Sequence, residues 1–191
     1  MGLKRFGFRH TVWYNITYMI AATAVGSSEL QKGGRALAEA TFYYKNPTAP
    51  RPNKPPILGA CAIIQHGDTY LMESRADSDR WAFVGGAMEP DESLEDCILR
   101  EIREETGLAL TPGQLQFVGV YSDPSRIAAY PDGNIARIIS AVYWVALRQA
   151  PVLHCSSESK QLCFLTVEQL APLQVAETQL DILSDFVESL L

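Results

Sequence analysis

The sequence predicts an α/β or α+β domain with sheet and helices in layers, and three observations predict it. Strand-like and helix-like stretches alternate along the chain rather than falling into separate halves. The strand-like stretches are short apolar or β-branched runs bounded by turn residues. The helix-like stretches carry apolar stripes at helical spacing, with start and stop residues at their ends.

The elements follow in order. Residues 57–65 (ILGACAIIQ) form an apolar run that reads as a buried strand. Gly67 in HGDT supplies the turn, and residues 70–75 (YLMESR) read as the returning strand of a hairpin. WAFVGG reads as one further short strand ending in two glycines. Residues 93–106 read as a helix, with Ser93 as N-cap, Asp96 three residues on and Gly107 as the stop. LQFVGVYS, IARIISAVYWVAL and LCFLT read as strands. Residues 121–134 read as a polar loop between strands, long enough to carry binding. VEQLAPL and AETQLDILSDFVESLL read as helices, the latter with Leu180, Leu183, Val187 and Leu190/Leu191 on one stripe.

Upstream of residue 57 the chain changes character. Residues 45–56 hold five prolines and read as an extended linker or strand-like arm. The division is therefore an N-terminal extension over 1–56 and a domain over 57–191. The first residues are basic and then largely apolar, in the layout of a signal peptide, although Asn15 and Thr17 interrupt the apolar run. That run is shorter than a membrane span, so no span is expected. A cytoplasmic location is expected from the absence of paired cysteines, with export left open by the signal-like start. The arm also offers an edge through which two copies could pair as a homodimer.

Charge is unevenly placed. The net charge is −6, and residues 86–108 alone hold eight acids and two bases. An acidic concentration of this kind points to a bound cation, and no nucleic-acid partner is expected. The four cysteines form no C-x-x-C pair and the three histidines are scattered, so a zinc site is not expected. Cys61 and Cys97 read as small core hydrophobes. Glu101, Glu104 and Glu105 are spaced i, i+3, i+4, which places them on one side of the helix, while Ile98 and Ile102 anchor the adjoining stripe. Three carboxylates held together repel one another, and a hard divalent cation removes that cost. Oxygen ligands favour Mg2+ or Mn2+. Arg100 is expected to fold back on a neighbouring carboxylate or the preceding loop rather than face Glu101. The carbonyl of Gly86 is a further oxygen for the cation, and Glu92 sits at the helix start, where negative charge is favourable.

The same stretch resembles the Nudix box, G-x5-E-x7-R-E-U-x-E-E-x-G-U with U aliphatic. Gly86, Glu92, Arg100, Glu101, Ile102, Glu104, Glu105, Gly107 and Leu108 fill its fixed positions. The resemblance extends over about residues 57–191. It implies a Nudix-type α/β/α sandwich with a mixed sheet. It also implies Mg2+- or Mn2+-dependent hydrolysis of a pyrophosphate bond in a nucleotide-derived small molecule. Carried over position by position, Glu101, Glu104 and Glu105 would hold the metal with the Gly86 carbonyl. Arg100 would orient Glu101, and Glu92 would support the loop. The proton acceptor is Glu101, Glu104 or a carboxylate outside the box such as Glu158. Arg75 and Arg126 are candidates for phosphate contact, and Tyr130 for stacking on a base. Pro124, sixteen positions beyond Leu108, resembles a feature of the family's ADP-ribose hydrolases, so ADP-ribose or a similar nucleotide sugar is the expected substrate. Nucleoside triphosphates and a non-catalytic nucleotide sensor are the alternatives.

Overall fold

The computed structural model describes residues 39–190. The signal-like segment lies outside the described residues. A nine-stranded mixed sheet carries helices on both faces. The strands are β1 (Thr41–Tyr43), β2 (Ile57–His66), β3 (Thr69–Arg75), β4 (Trp81–Ala82), β5 (Val84–Ala87), β6 (Gln116–Tyr121), β7 (Ile127–Ala129), β8 (Ile135–Leu147) and β9 (Ser159–Leu165). The helices are α1 (Leu94–Thr106), α2 (Val167–Leu170) and α3 (Leu180–Ser189), and α3 is entered through a 3-10 turn, Glu177–Gln179.

β2 and β8 form the spine. They pair in parallel from Ile57↔Ile138 to His66↔Leu147. The other edge of β2 is shared, β5 pairing with its start and β3 with its end. The other edge of β8 is likewise shared between β7 and β6. β9 adds to β3, with the register shifting between Ser74 and Arg75.

Alternation along the strands sorts the core into two layers. Cys61 and Ile63 of β2 and Tyr70 and Met72 of β3 face α3, where Phe186 packs on Tyr70 with ring centroids 4.6 Å apart. Ala60, Ala62 and Ile64 of β2 and Leu71 of β3 face α1 and its Cys97, Ile98 and Ile102. The helix of the acidic stretch is therefore fixed by apolar contacts with the middle of the sheet. Both Cys61 and Cys97 are buried and free, as small core hydrophobes would be.

Four expectations need correction. WAFVGG is two strands, because the chain leaves β3 after Ala82 and joins β2 at Val84; the intervening Phe83 N–H donates to the Gln179 side chain instead of a strand. Residues 121–134 are not all loop, since β7 lies within them and is buried throughout. Its partner is β1, inside the segment read as an extension, with Phe42 opposite Ala128. The sheet thus takes in residues upstream of 57, and the prolines of 45–56 lead the chain back along β8, where Asn53 and Lys54 N–H groups donate to the Ile135 carbonyl. Finally, VEQLAPL is helical only over Val167–Leu170.

Candidate active site

Helix α1 is held at both ends by its own sequence. Ser93 accepts from the Asp96 N–H at 3.1 Å while the Asp96 carboxylate accepts from the Ser93 N–H, a complete capping box. Gly107 closes it at φ 75°, its N–H donating to Arg103. A side chain there would be strained by that φ and would meet His154 at 2.9 Å.

Between those ends the three box glutamates do not point alike. Glu101 and Glu105, one turn apart, are buried against the sheet edge, whereas the Glu104 side chain is 59% exposed. Glu101 lies on the backbone of β5, where a Cβ on Gly86 would stand 2.3 Å from its Oε1. Glycine at 86 is what lets the carboxylate sit there. Glu105 Oε2 accepts from the Gly85 N–H at 3.0 Å.

Arg100 does reach Glu101, contrary to the expectation from adjacency along the helix. Its side chain is long enough to turn back across the helix end, where all five guanidinium N–H groups find acceptors. Nη1 donates to Glu101 Oε1 at 2.8 Å and to Glu104 Oε2 at 3.0 Å. Nε and Nη2 bond the two oxygens of Glu92, and Nη2 also bonds the Ala87 carbonyl. Glu92 is thereby tied to the helix, and its carboxyl is held below the ordinary range by the Arg100 hydrogen bonds.

The electrostatics show how uncompensated the remaining carboxylates are. Burial pushes Glu101 up, with Arg100 opposing it. Burial, followed by the charge of Glu73, pushes Glu105 up to about 9. Glu73 was not foreseen from the sequence. It stands in β3 at the alternate position to Leu71, on the α1 face, and is 1% exposed. A carboxylate on the same alternation face as a core leucine was the available signal. Glu158, exposed on the loop before β9, adds its charge to Glu73 and Glu101.

The other candidates separate. Arg75 follows Glu73 on the same face, its guanidinium paired with Asp77 at 2.6 Å and lying 5.5 Å from the Phe42 ring centroid. Tyr130 is half-buried within range of the Arg75 charge. Arg75, Tyr130 and Phe42 therefore gather beside Glu73 and Glu105. Arg126, expected in an exposed loop, is instead fully buried because β7 is part of the sheet. Its Nη1 meets Asp181 at 3.3 Å and its Nη2 meets Ser140 Oγ at 3.1 Å, leaving no face for a phosphate.

Among the described residues, no three carboxylate, thiolate or imidazole groups stand close enough to enclose an ion. Arg100 holds Glu101 and Glu104, and the Gly85 N–H holds Glu105, so Arg100 occupies the position of counter-charge. The donor chemistry nevertheless fits a hard cation: the groups are oxygens, Arg100 is shared among three carboxylates, and one buried oxygen, Glu73 Oε2, has no partner.

The NUDIX domain family model matches residues 55–186. The nucleoside triphosphatase NudI of Enterobacter sp. (strain 638) is 34% identical over 110 residues, spanning 54% of this chain and 71% of the relative. NudI of Salmonella typhimurium is 32% identical over 108 residues, spanning 54% and 70%. Among solved structures, a bifunctional NMN adenylyltransferase/ADP ribose pyrophosphatase from Francisella tularensis, complexed with AMP and a Mn ion, is 25% identical with a TM-score of 0.56. That likeness spans 73% of this chain but only 43% of the bifunctional protein, less than half its length. A MutT protein from Methanosarcina mazei Go1 shares the fold at 22% identity and a TM-score of 0.56, over 72% of this chain and 96% of that one. The match over most of the domain, carried by a complete box on a helix and strand arranged to gather its carboxylates, means that the chain belongs to the Nudix family and is a Nudix hydrolase.

Proposed function

We propose that the chain hydrolyses a phosphoanhydride bond of a nucleoside triphosphate with the help of Mg2+ or Mn2+. The observation that carries the reading is the surplus of carboxylates around α1, where one guanidinium is shared by Glu92, Glu101 and Glu104 while Glu105 and Glu73 have none. An anionic substrate does not approach such a site unless a cation stands between them. Glu101, Glu104 and Glu105, with the Gly86 carbonyl, would hold that ion. When bound it offsets phosphoryl charge and lowers the pKa of the attacking water.

The remaining chemistry belongs to the chain. Arg100 keeps Glu101 and Glu104 in register for the ion. Glu104, the open carboxylate of the three, would accept the proton from water, and its exposure supports this choice over Glu101. Arg75 meets the phosphate chain, and Tyr130 with Phe42 lines the side where the base rests. The triphosphate choice follows the NudI relatives. A second reading, ADP-ribose or a similar nucleotide sugar, is favoured by Pro124 and by the Francisella neighbour. Pro124 also has a local reason to be there, since it occupies the turn closed by the Arg126 N–H on the Asp123 carbonyl. A non-catalytic sensor has no need of the full carboxylate set.

The test is a panel of triphosphates, ADP-ribose, sugar nucleotides and dinucleoside polyphosphates, assayed with Mg2+ and with Mn2+ against a chelator control. Cleavage of a triphosphate that the chelator abolishes is the expected result. Turnover confined to ADP-ribose moves the assignment to the second reading, and binding without any turnover moves it to a sensor.

A further inference from the structure

We propose that Glu73 is a ligand of the divalent cation, extending the site from helix α1 onto strand β3. This deepens the metal-dependent reading above and rests on it.

Three features of Glu73 lead there. The alternation of β3 puts it on the α1 face with Leu71, beside Glu105. Its Oε1 is fixed by the Ser159 hydroxyl at 2.8 Å, while Oε2 is buried with no hydrogen-bond partner. The nearest base in sequence, Arg75, gives its Nε and Nη2 hydrogen bonds to Asp77 rather than to Glu73. A carboxylate oxygen left bare at 1% exposure is costly, and a fold retains one when something else completes it. One oxygen oriented by a hydroxyl and the other left free is how metal-binding carboxylates are set by the groups behind them. The neighbours argue for a cation over a proton donor: against the one positive charge of Arg75, Asp77 and Glu158 add negative charge at Glu73, and Glu73 in turn adds its charge to Glu105.

The assignment predicts that the ion bridges two elements which the box motif alone does not join. Oxygen from a strand and oxygen from a helix would then fix the spacing of β3 and α1 on loading.

The experiment is a Mn2+ titration of the full chain without nucleotide, followed by the EPR signal of free Mn2+, on wild type, Glu73→Gln, Glu104→Gln and Ser159→Ala. Glu73→Gln should weaken Mn2+ binding by about tenfold or more, and Ser159→Ala by less, as losses around a metal site do. Thermal unfolding in chelator should show Glu73→Gln no less stable than wild type, since it removes a bare buried charge. The rise in Tm that Mn2+ gives wild type should shrink in that variant. If Glu73→Gln titrates like wild type while Glu104→Gln loses affinity, the proposal is overturned and the box reading stands. If wild type shows no saturable Mn2+ binding, both fall. Should Glu73→Gln not fold, Ser159→Ala decides, and unchanged binding in it overturns the proposal.

Discussion

Two centres of buried charge lie on opposite faces of the same sheet, and they are built to opposite rules. On the α1 face, Glu92, Glu101 and Glu104 share the guanidinium of Arg100, while Glu73 and Glu105 are buried with no ion pair of their own. On the α3 face, Arg126 is fully buried with Asp181 at 3.3 Å, Ser140 beside it and the Tyr121 ring 5.8 Å away. The second centre pairs its guanidinium with a carboxylate of its own, although Arg126 Nε has no partner, and ties β7 to the start of α3. The first is left in surplus. A buried charge paired within the fold is accounted for by structure, whereas a surplus of like charges is what marks the α1 face as the candidate site.

The contrast can be broken in four ways, the largest effect first. Glu105→Gln should lower turnover by about two to three orders of magnitude, the scale of weakening the hold on a cation that offsets charge in the transition state, and should leave circular dichroism unchanged. Retained steady-state activity would remove Glu105 from the machinery. Arg126→Met should act on stability instead, costing about 3 kcal/mol in urea unfolding because the half-buried Asp181 loses its counter-charge. Adding Asp181→Leu should recover most of that loss, as replacing a whole buried pair does. A double variant as unstable as the single one would mean that the α3 centre is not the self-contained pair described. Ser93→Ala should cost about 1 kcal/mol through loss of the cap on α1, read by the shift in Tm.

The smallest effect is a pH dependence. Burial raises the Asp77 carboxyl, but the hydrogen bonds and charge of Arg75 outweigh it and hold it below the ordinary 3.8. The folded chain thus gives up this proton more readily than the unfolded one. The stability so gained is present above about pH 4 and is lost as pH falls through the folded value. Asp77→Asn should flatten the acid limb of the stability curve, measured as Tm from pH 5 down to pH 2.5. An unchanged acid limb would remove the Arg75–Asp77 pair as a source of stability.

Much of the α1 side was legible from residues alone. Its helix has a capping box, a glycine stop and an apolar stripe within one continuous segment, so local rules were enough to place it. The spacing of Glu101, Glu104 and Glu105 was equally local. The direction of each was not. Glu104 faces solvent while its two neighbours are buried, which depends on where β5 passes the helix. Arg100 folds back on Glu92 and the preceding loop as expected, and it also reaches Glu101, which adjacency alone argued against because it ignores the reach of a long side chain. Phe42 and β1 were hidden for another reason: a three-residue strand carries too little pattern to stand out, and its partner β7 sits among turn residues.

What the sequence alone determined was the identity and order of the carboxylates on α1 and the layered class of the fold, because helical spacing and strand alternation are properties of contiguous chain. Only the tertiary structure brought Glu73 to the same face of the sheet and buried Arg126 on the other. Glu73 and Glu105 lie on separate elements, and Arg126 is withdrawn by a strand held between nearby β8 and β1, which lies more than eighty residues away. Contacts of that kind are set by which face of the sheet each strand presents, and no local pattern encodes them.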